Sequence, residues 1–285
     1  MKGQYIYNFI LLLVTVIIMI YFSTTRQAEE TIIFFPIDPT LHFEDAATHI
    51  TAKPINNKTY QVHWQTRSTL TEPAYLRQDV SLLYKNGDLI GILNKWKQHE
   101  QTIIQKDKQK ERDSARYDAV TFHYAEVHPN KDVFTSVQQM SQAKLYAITT
   151  PSFETFQRPV SAEQQQWQSV LDNNLNARLA SRLNKSLTYF HIDKSQYETI
   201  SLIELPTKAN HIFRTFPSAK REEIIGKLWE GIYKHYILGI KTEDATVLPV
   251  EGSSIPQILV AKDQSELLVL FTLQDGTPFM LRQQI

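Results

Sequence analysis

The stretch 79-DVSLLYKNGDLIGIL-93 decides the fold. Its apolar runs, 79–84 and 88–93, flank Lys85-Asn86-Gly87. An Asn-Gly pair between two such runs is a strong local hairpin signal, because both residues tolerate positive φ. The consequence is antiparallel sheet at the centre of the first half of the chain.

Outward from the hairpin, residues 31–37, 59–66, 119–127 and 144–149 carry strand character, and 133–140 reads as a short helix. The polar stretch 97–118 fits a solvated arm, a long exposed strand pair or a helix; Thr102-Ile103-Ile104 is its one apolar island. The texture changes at 150–159, and a long helical pattern follows. There Ser161 is placed as N-cap, with Gln164 in the capping-box position and Glu163 in the first turn. Trp167, Leu171, Leu175, Leu179 and Leu183 recur every fourth residue, so they drift around the helix and call for more than one packing partner. Residues 188–192 and 198–205 read as strands. Across 219–238, Ile224, Ile225, Leu228, Trp229, Ile232, Tyr233, Tyr236 and Ile237 mark a helix with one broad buried face, and Gly239 suits its left-handed cap. Residues 257–261, 266–272 and 277–282 close the chain as a meander. The fold class is therefore α+β, with mostly antiparallel sheets and two long helices in the C-terminal half.

At the N-terminus, 5-YIYNFILLLVTVIIMIYF-22 is free of formal charge and long enough for a transmembrane helix, with aromatic rings at both ends. It is longer than the apolar region of a cleaved signal, and Ser23 and Thr25 offer only a weak cleavage site, so retention is expected. Lys2 precedes it, while Arg26, Glu29 and Glu30 follow, which orients the N-terminus to the cytoplasm and the rest outside. The expected organisation is an anchor with its flanks at 1–26, a strand-rich extracytoplasmic domain at 27–155 and an α+β extracytoplasmic domain at 156–285.

Composition narrows the chemistry. Thirty basic and thirty acidic residues leave no excess charge for a nucleic-acid partner. No cysteine is present, which excludes disulfides, thiol nucleophiles, Cys-ligated metals and a lipoprotein anchor. Neither GxGxxG nor a P-loop occurs, so no nucleotide cofactor has a visible cradle.

The densest histidine cluster, His42, Glu44, Asp45 and His49, fits no zinc spacing, and HExxH is absent. Around His123, Glu126 and His128, strand parity puts the two histidines on opposite faces and lets Glu126 share a face with His128. Ser141-Gln142-Ala143-Lys144 matches SxxK, a pairing that needs a helical turn, but its KTG and SDN companions are missing. Gly252-Ser253-Ser254 lacks the frame of a nucleophile elbow. No residue is assigned as catalytic, cofactor-binding or metal-binding. Trp96, between Lys95 and Lys97, is a candidate for a binding surface.

The resulting expectation is a single-pass, membrane-anchored protein of a bacterial envelope that acts by protein contact and not as an enzyme. The lipid bilayer and an envelope protein are its expected partners. Two alternatives stand beside it: a membrane-tethered hydrolase of cell-wall material, whose carboxylate pair the sequence cannot show, and a secreted structural protein freed by signal cleavage.

Overall fold

A computed structural model of the 285-residue chain describes residues 33–56, 58–241 and 247–285. Residues 32–285 form one compact unit.

The hairpin at Asn86-Gly87 joins two very long strands, β2 (Thr59–Lys85) and β3 (Asp88–Glu111). Asn86 and Gly87 have φ of 49° and 91°, the left-handed pair that such a turn requires. A Cβ on Gly87 would also lie 2.7 Å from a Leu175 methyl, so only glycine fits. The polar stretch after the hairpin is thus a strand, and β3 stays paired with β2 to its end. Midway the ladder breaks between Thr69 and Ala74, where Pro73 removes a donor and His99 opposite takes φ of 53°. The bend folds the hairpin over on itself.

That bend gives β2 two sets of neighbours. Its first half pairs with β1 (Phe43–Asn56), and its second half with β4 (Ala115–Asn130), which pairs in turn with β5 (Val133–Ile148) and, beyond it, β6 (Glu154–Phe156). Residues 133–140 are therefore extended and not helical. The reason is pairing: 133–140 runs antiparallel to β4, from Val133 opposite Asn130 to Met140 opposite Phe122, and the adjacent Ser136 and Val137 are buried on its two faces.

The second half holds α1 (Ala162–Tyr189), β7 (Tyr197–Ser201), α2 (Leu205–Ile212), α3 (Ser218–Tyr236), the two-residue strands β8 (Ile240–Lys241) and β9 (Val247–Leu248), and the meander β10 (Gln257–Ala261), β11 (Glu266–Thr272) and β12 (Pro278–Gln284). Strands β7, β10, β11 and β12 make a separate antiparallel sheet. Ser161 caps α1 by accepting from the Gln164 backbone N–H at 3.2 Å. Residues 188–192 belong to the end of α1 and not to a strand. His191 takes the left-handed conformation, and Ile192 N–H and His191 N–H bond back to the Leu187 and Thr188 carbonyls. Along α1, Leu171 meets Tyr146 and Phe156, Leu175 joins the main core, and Leu183 and Leu187 pack on Leu259, Leu268 and Leu270. The helix changes partners along its length, as its drifting stripe requires.

Helix α3 touches both sheets. Trp229 is fully buried and stacks on Phe122 of β4 at 5.2 Å, while Tyr236 lies against Phe271 of β11. Gly226 lets the chain near Phe34 cross α3 closely, since a Cβ there would stand 2.2 Å from the Phe34 ring.

The expectation of a membrane span is overturned as well. Residues 5–22, which were to supply the membrane span, lie outside the described residues. Among the described residues no helix is long and apolar enough to cross a membrane; the longest, α1, is polar along most of its surface. The single-pass anchor, the topology drawn from its flanking charges and the bilayer as a partner are withdrawn.

Candidate functional site

The folded-over sheet encloses a banded interior. At one end Ile50, Tyr60, Val62 and Trp64 of β1 and β2 pack on Leu83, Tyr117, Ala119 and Leu145. At the other, Leu70 and Ala74 meet Ala125 and Val137. Between these apolar bands lie Thr48, Thr66, Ser68, Arg77, Asp79, Ser81, Gln105, Thr121 and His123, all buried. Burying so many polar groups is costly unless they are bonded; a hydrogen-bond chain links most of the band, while Thr66 Oγ1, Arg77 Nε and Asp79 Oδ1 have no hydrogen-bond partner.

Its centre is a serine, a histidine and an aspartate from three adjacent strands. His123 Nδ1 lies 2.9 Å from Asp79 Oδ2, and His123 Nε2 lies 2.8 Å from Ser141 Oγ. Asp79 and His123 are direct cross-strand partners, and Ser141 lies two residues along β5 from Gln139, the partner of His123. Asp79 Oδ2 also accepts from Ser68 Oγ at 2.6 Å. A carboxylate so placed fixes the imidazole with Nδ1 protonated and Nε2 free to accept. Ser141 Oγ has a second hydroxyl neighbour, Thr48 Oγ1 at 2.6 Å, which continues the chain through Thr121 to Ser81.

Arg77 balances the charge. It has no exposed surface, donates to Ser68 Oγ at 2.6 Å, lies 3.8 Å from Asp79 Oδ1 and stands 5.1 Å from the centre of the Phe43 ring. Burial lowers its pKa and the Asp79 charge works against that shift; a guanidinium stays protonated in either case. With Arg77 positive and Asp79 negative, the cluster is neutral when His123 is neutral, the form a general base needs.

Ser141 lies at the seam between β1 and β5, where it meets Thr48. Among the described residues, the outer edge of β1 and the 137–145 edge of β5 have no ladder partner, and edges of this kind leave alternate N–H and C=O groups unpaired. Ser141 is half-buried there. A cleft of about 760 Å³ is lined by Thr48 and His49 of β1 and by Gln142, Ala143 and Lys144 of β5, the neighbours of Ser141; Ser141, His123 and Asp79 do not line it. Its wall includes Arg116, which donates twice to Asp118 at 2.8 Å and once to Asp172 at 2.9 Å. Burial opposes the Arg116 charge, but Asp118, Tyr146 and Asp172 raise its pKa.

The residues singled out from sequence fall differently. Lys144 does not pair with Ser141, since β5 is a strand and residues three apart point to opposite faces. His128 bonds Glu126 at 2.5 Å and stacks on Tyr75 at 3.8 Å, away from the buried His123. His42, Glu44, Asp45 and His49 lie on or beside β1, where Asp45 pairs with Arg67 at 3.2 Å. Among the described residues no group of three or more potential ligands could hold a metal. Trp96 is 41% exposed. Asp79 was not singled out, although Arg77, Asp79 and Ser81 recur at every second position of a strand and so mark one polar face.

No protein-family model matches the chain, and no curated protein matches it. Among solved structures, one from Bacteroides fragilis, described as a candidate beta-galactosidase, is similar over 33% of this chain and 15% of that one, at 16% identity with a TM-score of 0.21. The chain therefore spans a small part of that structure, and a likeness this slight carries no argument about fold or activity.

Proposed function

We propose that the protein is a hydrolase of the acyl-transfer class, with Ser141 as nucleophile, His123 as general base and Asp79 as the group that orients it. The observation that carries the reading is the Ser141–His123–Asp79 relay, with both hydrogen bonds inside the ordinary range and the aspartate fully buried. In the reaction, Ser141 Oγ adds to an ester or amide carbonyl as His123 Nε2 takes its proton. The leaving group departs with that proton, and water, deprotonated by His123, releases the acid and restores the serine. Unpaired backbone donors at the β1–β5 seam are the available groups for the developing oxyanion.

A second reading is favoured by one observation: Ser141 Oγ is also bonded by Thr48, which fits a chain whose only task is to hold the bent sheet closed. Hydrolysis of a panel of short-chain aryl esters separates the two. Wild-type turnover above background, lost in Ser141→Ala and in His123→Asn while both variants stay folded, supports the hydrolase. Equal rates for wild type and Ser141→Ala reject it.

A further inference from the structure

The outer face of the folded-over hairpin carries a pattern that the hydrolase reading leaves unused. Register places Lys53, Gln61 and Lys110 in one row across β1, β2 and β3; Thr51, His63 and Lys108 in the next; and His49, Gln65 and Lys106 in a third. All nine lie on the side opposite the buried Tyr60, Val62, Trp64 and Thr66. Lys53, Lys106, Lys108 and Lys110 are exposed, and among the described residues none has a carboxylate within ion-pair distance. The nearest carboxylates of β3, Asp107 and Glu111, point the other way, with Asp107 bonded by Gln109 and Glu111 paired to Lys85. Beyond the first row, Lys58, Lys110 and Arg112 line an open groove of about 640 Å³ together with Asn56 and Thr59.

We propose that this face binds a linear phosphate polymer laid along the Lys106–Lys108–Lys110 row. Alternate residues of a strand are about 6.8 Å apart, so the three ammonium groups form a line and do not converge on one point. A line of point charges suits a ligand that repeats its own charge along a line, and lysine binds phosphate as a point charge. No Phe, Tyr or Trp stands in the three rows to stack successive bases, which disfavours single-stranded nucleic acid. Lysines on an edge strand also guard against edge-to-edge pairing, but that role does not account for Lys53, two strands away, or for the single sign of the set. The field of the face is already felt inside it. Partial burial, then the charges of Lys108 and Lys53, lower the pKa of His63.

The test titrates the full chain with long-chain inorganic polyphosphate at several salt concentrations. Binding should weaken with salt, with a log–log slope of about −0.7 for each phosphate engaged. Replacing Lys106, Lys108 and Lys110 together by Gln should cut affinity at least about tenfold and flatten the slope by about 2. Replacing Lys131, Lys194 and Lys262 by Gln removes the same charge elsewhere and should leave affinity within about twofold. Saturating polyphosphate should also raise the pKa of His63, read by NMR. Ser141→Ala should bind normally, so this face stands or falls apart from the hydrolase. Equal loss in both triple variants would overturn the proposal. So would binding of phosphatidylserine vesicles or polyglutamate through the same lysines in the absence of polyphosphate binding.

Discussion

Replacing Asp79 by Asn tests the electrostatic balance of the buried band. The wild-type carboxylate is fully buried, accepts from Ser68 at 2.6 Å, meets His123 at 2.9 Å and stands 3.8 Å from Arg77. The amide keeps the shape but removes the charge, leaving a guanidinium in the interior without its counter-ion. Breaking a buried pair in this way costs about 3–5 kcal/mol. Arg77→Met, which strands the carboxylate, should cost a similar amount. If the two groups act as a pair, the double variant should be more stable than the sum of the singles implies, by about 2 kcal/mol or more, because no uncompensated charge remains. Urea unfolding followed by tryptophan fluorescence reads all four proteins, since Trp64 and Trp229 are both buried. Additive losses, or a cost below about 1 kcal/mol for Asp79→Asn, would refute the reasoning.

Two further outcomes follow from the same packing. Trp229→Ala removes a fully buried ring stacked on Phe122 and should cost about 3–5 kcal/mol, whereas Lys227→Ala, on the exposed side of α3 and paired with Glu223, should stay within about 0.5 kcal/mol; equal urea midpoints would contradict the assigned face. Burial pushes the Tyr60 hydroxyl, which meets Tyr117 at 2.7 Å, up to about 12 and raises Tyr117 as well. Above the ordinary tyrosine value near 10 the unfolded chain loses these protons first while the folded state keeps them. Stability should therefore be flat below about pH 9 and fall between about pH 10 and 12 by roughly 1.4 kcal/mol per pH unit for each tyrosine. In Tyr60→Phe, urea midpoints should fall less steeply over that range.

Much of the framework was legible because local chemistry and packing agree. Asn86-Gly87 forms its turn, the apolar set of α3 is its buried face, and the C-terminal runs pair as a meander. One failure has a plain cause, which is that period is ambiguous where both faces of a strand are covered. In the second half of β2 every residue from Leu76 to Tyr84 is buried, so alternation no longer marks an outside. The polar members Arg77, Asp79 and Ser81 were masked by Val80 and Leu82 between them. Ser141 was noticed for a helical pairing with Lys144, while its actual partner, His123, lies eighteen residues away on the next strand. That contact exists only because β4 and β5 pair in one register, and pairing register is set by tertiary packing. The stretch 97–111 looked unsupported alone; pairing with β2 and burial of Ile103 and Gln105 make it a strand.

The most direct test of the account is covalent labelling of the serine. Native full-length protein is treated with a fluorophosphonate probe, digested, and mapped by mass spectrometry, beside heat-denatured protein and the Ser141→Ala, His123→Asn and Asp79→Asn variants. A nucleophile activated by the relay predicts one adduct, on Ser141, absent after denaturation and in Ser141→Ala, and strongly reduced in His123→Asn and Asp79→Asn. No adduct on Ser141 in the native protein, or labelling that persists unchanged without His123, would contradict it.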